Sequence, residues 1–464
     1  MPSNNRRIHF IGIGGAGMSA IAKVLLEAGN IVTGSDLKRS DITDRLADMG
    51  ATIHIGHAAS NLQGPDAVVV SSAIPAGNVE LEAARKAGIR VIQRGEMLAE
   101  LMHDKKGIAI AGAHGKTTTT SMISLVLERA GIDPTVLIGG ELNDIGGNAK
   151  LGRGEYLVAE ADESDGSFLK LRPYIGVITN VEDDHLDYYG SLDAIFAAFL
   201  TFVEQINSAG LAILCADSPH VRRIAETCSK RYVTYGLKNP ADYEAKRICH
   251  QVLASTFEVW ERGEYLGEIT LGVPGRHNIL NALATVAVAR EVGIDLSVVQ
   301  DALAGFHGVH RRFELLGEVD GIYVVDDYGH HPTEIKATLS AAKQGRFLRI
   351  ICVFQPHRYT RTKFLYQQFA TAFQEVDELI VTDIYSAGET PIAGVSGRLI
   401  VDAVAASGGP MPVYIPDLKD VVPYLLQRVR PGDLVITVGA GNVWTVGDQL
   451  VDALVARAKP ALEA

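Results

Sequence analysis

At 464 residues the chain is long enough for about three domains, and 47% hydrophobic with 21% charged residues excludes disorder and leaves ample core. A formal charge of −12 and a pI near 5.6 argue against a nucleic-acid partner, which favours a basic face. Cys215, Cys228, Cys249 and Cys352 lack C-x-x-C spacing, so neither a zinc knuckle nor a disulfide framework is indicated and burial is their expected fate. No charged-then-apolar leader precedes Ile8 and no apolar run approaches membrane-spanning length, so the expected setting is a reducing cytosol without membrane insertion.

Residues 8–13 read as a buried strand that leads into Gly12-x-Gly14-x-x-Gly17 and a helix over 18–28. A second strand, over 31–35, ends at Asp36, the distance at which an acid holds a ribose hydroxyl. Three uses of this turn remain open: an NAD site and hence an oxidoreductase, a tight βα turn with no cofactor, or a cradle for another nucleotide's diphosphate. Strands over 68–72 and 90–92 complete a small α/β unit ending near residue 104.

The central segment opens on an apolar run that stops at Gly112, turns through Gly115 and continues as an amphipathic helix. Backbone N–H groups in such a turn, backed by a helix N-terminus, form an anion site. Lys116 then reaches terminal phosphates, and the Thr117 hydroxyl suits a phosphate-bound Mg²⁺. The match is not a full Walker A, since Ile110 stands where the first glycine belongs; the alternative is an ordinary strand–turn–helix with a solvated lysine. A strand over 155–160 delivers Glu160 to the same end, where a carboxylate completes a Mg²⁺ shell, whereas Glu163 reads as part of a solvated acidic loop. A further strand, over 175–180, ends among acids at His185, for which a metal or phosphate role and a structural one stay open. A helix over 193–206 and a hairpin over 257–271, turning at Gly263, follow. Asn278 and Asn281 share one face at a helix start, suited to a purine edge or simply to capping. Arg311 or Arg312 then serves as a charge stabiliser, or the pair marks a basic linker.

From Gly321 the strand–helix alternation restarts. His330-His331 lacks the partners of a zinc site. Arg358 and Arg361, beside His357, make a guanidinium fork suited to a carboxylate or phosphate, with surface salt bridging as the alternative.

In this order the motifs resemble the Mur ligases of bacterial peptidoglycan synthesis over essentially the whole chain. They are His9 to Ser19, Gly112 to Thr118, Glu160 to Asp165, Asn180 to Asp187, His277-Asn278, Arg311-Arg312, Asp326 to His331 and Gln355 to Arg361. The resemblance implies an α/β fold of three domains: a Rossmann-like UDP-sugar domain (1–104), a central P-loop-type ATPase domain with a mostly parallel sheet (105–314), and a second Rossmann-like domain (315–464) that closes over ATP and receives the amino acid. The implied reaction is the ATP-dependent joining of L-alanine to the lactyl carboxylate of UDP-N-acetylmuramate, through an acyl phosphate and a tetrahedral intermediate, in the bacterial cytoplasm. A ligase that recycles an intact tripeptide is the alternative within the family.

Carried over by motif, Gly14, Gly15, Ala16, Gly17, Met18, Asp36 and Ser71 belong to the sugar nucleotide. Gly112, Ala113, His114, Gly115, Lys116, Thr117 and Thr118 hold ATP, with Asn278 and Asn281 at the adenine, Arg312 at the γ-phosphate and Asp327 at the nucleotide. Thr117 and Glu160 ligate one Mg²⁺ and His185 a second, with Mn²⁺ an acceptable replacement. His330, His357, Arg358 and Arg361 fall to the lactyl carboxylate and alanine, and His330 and His185 are both candidates to take the amine's proton. One departure favours the alanine-adding branch. Relatives carry a carbamylated lysine in an Ala-Ala-Lys-Leu context, whereas Ala197-Ala198-Phe199-Leu200 stands here and Phe199 forms no carbamate.

Overall fold

Strands whose apolar residues run without alternation demand a sheet covered on both faces, and three such sheets form. The computed structural model describes residues 5–142, 147–345 and 347–462. The first sheet is all parallel, with β1 (Arg7–Ile11), β2 (Ile31–Asp36), β3 (Thr52–Ile55), β4 (Ala67–Val70) and β5 (Arg90–Gln93) in the order β3-β2-β1-β4-β5. The order reverses beside β1, so the loop after β1 lies at a topological switch point.

The second sheet holds β6 (Lys106–Ala111), β7 (Thr135–Leu142), β8 (Gly147–Lys150), β9 (Tyr156–Glu160), β10 (Ile175–Ile178), β11 (Leu211–Cys215), β12 (Tyr232–Gly236), β13 (Tyr243–His250), β14 (Ser255–Glu261) and β15 (Glu264–Leu271). Their order is β15-β14-β13-β12-β11-β10-β6-β9-β7-β8, with β6 parallel to both β10 and β9. Arg262 and Gly263, at φ 50° and 86°, form the left-handed two-residue turn between β14 and β15 that the Gly263 signal predicts. The third sheet holds β16 (Glu314–Val319), β17 (Ile322–Asp327), β18 (Arg349–Phe354), β19 (Glu378–Val381), β20 (Val413–Tyr414) and β21 (Asp433–Val438), ordered β16-β17-β21-β18-β19-β20. Along β18, Ile350, Cys352 and Phe354 enter one core while Ile351 and Val353 enter the other, which is the period-two signature of a doubly covered sheet.

The chain divides into two compact units. One comprises residues up to Arg247 with Glu258–Ile269 and Leu280–Ala304; the other comprises Ile248–Phe257, Thr270–Ile279 and Gly305 onward. Within the first unit, the expected division near residue 104 separates two sheets but not two cores. Phe10, Met97 and Leu101 share one apolar cluster with Phe168, Phe199 and Phe202. The cysteines depart in part from expected burial: Cys215 and Cys352 are buried, but Cys228 is half-buried and Cys249 exposed. Cys249 lies on a stretch of β13 in which burial has given way to exposed and half-buried residues.

Candidate functional site

Three neighbouring parallel strands, β10, β6 and β9, end together and deliver the chemistry of the first unit. After β6 the chain turns through Gly112 (φ 140°) and Gly115 (φ 83°), then enters the helix Lys116–Arg129. These glycines are required twice over. Both carry positive φ, and a side chain at Gly112 would strike Thr179 Oγ1 and the Asn180 backbone, while one at Gly115 would lie 2.9 Å from Asn281 Oδ1. The residues after β10 lock the loop: Thr179 Oγ1 and Asn180 Nδ2 donate to His114 O (2.6 and 2.9 Å), and His114 N donates to Asn180 Oδ1 (2.9 Å). Asn281 thus lies against the glycine turn after β6.

Lys116 is engaged within the protein. Its Nζ lies 2.8 Å from Glu163 Oε1, 2.5 Å from Gly112 O and 3.3 Å from Ala113 O. Burial opposes its charge, yet the Glu163 carboxylate, with help from Glu160 and Asp162, holds its pKa above the ordinary lysine value. Glu163 therefore corrects the sequence-based expectation of a solvated acid, for it is 4% exposed. The segment 162–167 folds back on itself through Asp162 and Asp165, whose carboxylates accept from Ser164 N and Ser167 N. The Tyr189 hydroxyl then pins Glu163 O at 2.6 Å.

Glu160 Oε1 accepts from Gly139 N at 2.6 Å, and any side chain at Gly139 would meet that carboxylate. His185 Nε2 lies 3.8 Å from Glu163 Oε1 and 3.6 Å from Asp184 Oδ2. Glu163 Oε2 is buried without a hydrogen-bond partner. Thr117 in the first turn of the helix after β6, Glu160 at the end of β9 and His185 after β10 offer a hydroxyl, a carboxylate and an imidazole, donor types that a hard divalent cation accepts. Phe199 offers nothing to it: the ring is 1% exposed and packs edge-on against Phe168 at 5.2 Å.

In the first sheet, Gly12 N and Ile13 N donate to Ser35 O (2.8 and 3.0 Å), and Gly14 N donates to Asp36 Oδ2 (2.9 Å). Asp36 thus stands at the glycine loop, as its spacing predicts. The side chain of Met18, expected in the sugar-nucleotide set, is buried in the core at 2% exposure. Ser71 follows β4 and is half-buried. Gly17 leaves room for Arg94, whose Nη2 lies 2.7 Å from Asp162 Oδ2.

In the second unit, the carboxyl ends of β17, β21 and β18 are again adjacent. Arg311 and Arg312, left open by the sequence, part here. Arg311 is fastened to Asp326 (2.8 Å), Gly439 O (2.6 Å) and Gly441 O (3.1 Å). Arg312, 31% exposed, lies over the Tyr328 ring and 3.6 Å from Glu334, which leaves it the better candidate for a substrate charge. Asp327 accepts from Phe313 N through Oδ2, which braces the arginine segment, and from Gly329 N and Thr338 Oγ1 through Oδ1, all at 2.8–3.0 Å. Burial raises its pKa to about 6 against the pull of Arg312. Asn278 donates its amide to Pro274 O (2.7 Å).

His330 Nδ1 lies 3.1 Å from Tyr328 O, a contact that fixes the proton on Nδ1 and turns Nε2 into the acceptor. Burial lowers its pKa to about 4 although Glu334 opposes that, so the ring is neutral at pH 7. His357, stacked on Tyr385, is likewise lowered to about 4, by burial first and then by His330 and the arginines. Its Nδ1 accepts from Arg361 Nη1 at 3.2 Å. The expected guanidinium fork is split: Arg361 turns in to His357, whereas Arg358, at φ 70°, is exposed.

Three family models match the chain: the Mur ligase family catalytic domain over residues 7–106, the Mur ligase middle domain over 110–289, and the Mur ligase glutamate ligase domain over 311–441. A UDP-N-acetylmuramate–L-alanine ligase from Pelotomaculum thermopropionicum is 55% identical, over 97% of this chain and 98% of its own length. Among solved structures, the UDP-N-acetylmuramate–alanine ligase of Thermotoga maritima superposes with a TM-score of 0.84 at 32% identity, covering 98% of this chain and 100% of that one. A murein peptide ligase from Psychrobacter arcticus gives 0.71 at 28% identity, covering 97% and 99%. The three-domain α/β reading is borne out, the dehydrogenase reading of the first loop falls away, and the chain belongs to the Mur ligase family.

Proposed function

We propose that this chain joins L-alanine to the lactyl carboxylate of UDP-N-acetylmuramate at the expense of ATP. The observation that carries this reading is the convergence of Lys116, Glu160 and His185 at three adjacent strand ends, in a chain 55% identical to an L-alanine ligase. Among the described residues no helix is long and apolar enough to cross a membrane, which agrees with substrates found in the cytosol.

A carboxylate is a poor electrophile, so it must be activated before an amine can displace oxygen from it. The muramyl carboxylate attacks the γ-phosphorus, the bond to the β-phosphate oxygen breaks, and ADP leaves an acyl phosphate behind. Lys116 and Arg312 draw charge from the transferring group. Thr117 and Glu160 would hold one Mg²⁺ and His185 a second, and such ions would supply positive charge at the phosphates. Gly14 N holds the Asp36 carboxylate at the glycine loop, where Asp36 meets the ribose of the sugar nucleotide. Arg361 orients a carboxylate, that of alanine or the lactyl group. The neutral α-amine then attacks the acyl carbon and phosphate departs from the tetrahedral intermediate. His330 is favoured over His185 as proton acceptor, because its neutral ring presents Nε2 while His185 sits among the metal-binding acids.

The test is phosphate release from ATP and Mg²⁺ with UDP-N-acetylmuramate and, in turn, L-alanine, glycine, L-serine or the tripeptide. Release that needs both the sugar nucleotide and L-alanine supports the proposal. Release with the tripeptide alone assigns the chain to recycling, and none with any acceptor removes the ligase reading.

A further inference from the structure

The turn after β9 faces two ways. Asp162 reaches Arg94 at 2.7 Å, next to the glycine loop of the first sheet. The next residue, Glu163, reaches Lys116 at 2.8 Å, inside the phosphate loop. A lysine that also contacts Gly112 O and Ala113 O is bent back onto its own loop. That is not the direction of a ligand lying against the backbone N–H groups of the loop.

Glu163 is itself incompletely satisfied. One oxygen meets Lys116; the other is buried with no hydrogen-bond partner. A carboxylate built only to stabilise the fold is surrounded by donors. His185 Nε2 lies 3.8 Å from the oxygen that holds Lys116, close enough to turn toward the carboxylate once the lysine leaves.

We propose that Glu163 is an exchangeable counter-ion that competes with the nucleotide's phosphates for Lys116: it keeps the lysine paired inside the loop, and the triphosphate must displace it to bind. Glu163 is thereby a positioning residue, acting through Lys116 rather than on the reacting atoms. The consequence is a conformational tax on nucleotide affinity, since only the fraction of molecules with Lys116 released binds phosphate well. The inference rests on the reading of Lys116 as the phosphate ligand.

The test is equilibrium binding of ATP, pyrophosphate and adenosine to the full chain in EDTA, comparing wild type with Glu163→Gln, Glu163→Asp and Lys116→Met. Loss of the competing charge should tighten ATP and pyrophosphate on the order of tenfold in Glu163→Gln, with adenosine unchanged. Glu163→Asp, which keeps the charge but shortens the reach, should tighten them less, and it carries the test if Glu163→Gln does not fold. Unchanged or weaker ATP binding in the Glu163 variants would overturn the proposal, as would equal tightening of adenosine, the mark of a merely structural change. Lys116→Met separates the two levels of the argument. If it leaves ATP affinity intact, Lys116 is not a phosphate ligand and the underlying reading fails. If it weakens ATP binding while the Glu163 variants do nothing, the counter-ion proposal alone fails.

Discussion

Two glutamates of the first unit are buried to nearly the same degree, and their surroundings could hardly differ more. Glu80, in the helix Val79–Lys86, is 0% exposed and accepts from Ser35 Oγ (2.5 Å), Asn61 Nδ2 (2.5 Å) and Ala58 N (3.2 Å), with His57 at 3.3 Å and His9 at 3.6 Å. Burial alone would raise its pKa, but these donors together lower it to about 2. Glu163 has one strong partner, Lys116, and an oxygen with no donor. Burying a carboxylate is costly in either place. A carboxylate enclosed by several fixed donors stays where it is, whereas one that depends on a single long cation gives it up when a better anion arrives. The degree of satisfaction, and not the degree of burial, separates the structural acid from the functional one.

The largest effect should come from breaking the mobile pair. Lys116→Ala should lower alanine-dependent phosphate release by about 10³-fold, through loss of charge stabilisation in phosphoryl transfer. It also strands Glu163 in the interior, so urea denaturation should show a loss on the order of 3 kcal/mol. Lys116→Met combined with Glu163→Leu removes both charges and should recover most of that stability while remaining inactive. A double variant no more stable than Lys116→Ala would show that the pair contributes nothing through its charges.

Glu80 should behave in the opposite way, with stability lost and chemistry retained. Glu80→Gln turns an acceptor toward the donors of Ser35, Asn61 and Ala58, and should cost about 2–3 kcal/mol at pH 7. The sign of the pH dependence follows from the depressed pKa. The carboxylate's contribution is fully present above its ordinary value near 4.5 and is lost as pH falls toward about 2. The gap between wild type and Glu80→Gln should therefore narrow to roughly half by pH 3. A gap that stays constant from pH 7 to pH 3 would remove Glu80 as an ionised structural acid.

Neither glutamate was legible from its neighbours in sequence. Glu80 and Glu82 are both first-turn acids of one helix, and Glu80 turns inward to donors on β2 and the segment 57–61. Glu163 is buried by a turn closed partly by Tyr189, 26 residues away. Arg311 and Arg312 are adjacent in sequence, and the choice between them was made by Asp326 and by backbone carbonyls 128 and 130 residues away. What could be read was local: apolar runs that stop at glycine, carboxylates at strand ends, and the lysine that opens a helix. Those signals located several strands of the first two sheets, the restart of the alternation at the third, and the glycine turn after β6. The sharing of one core by the first two sheets depends on side chains from both, such as Leu101 and Phe168, and left no mark on either stretch alone.

Asp36 lies between the two glutamates and sharpens the difference. It is half-buried, one oxygen accepts from Gly14 N at 2.9 Å, and the other lies 3.5 Å from Lys38 N. Its satisfaction is neither the closed set of Glu80 nor the single cation of Glu163. One fixed backbone donor keeps it in place while part of the carboxylate stays accessible to a ribose hydroxyl. Asp36→Ala removes both the loop contact and the acceptor, so KM for UDP-N-acetylmuramate should rise by about five- to tenfold, the equivalent of one hydrogen bond, with kcat little changed. Asp36→Asn keeps an acceptor for Gly14 N and should fall between wild type and Asp36→Ala. A fall in kcat at unchanged KM would contradict the assignment, because an acid that only holds the nucleotide contributes equally to the ground state and the transition state. The effect is the smallest of the set because the loop shape also rests on Gly12 N and Ile13 N, both held by Ser35 O, which the substitution leaves untouched.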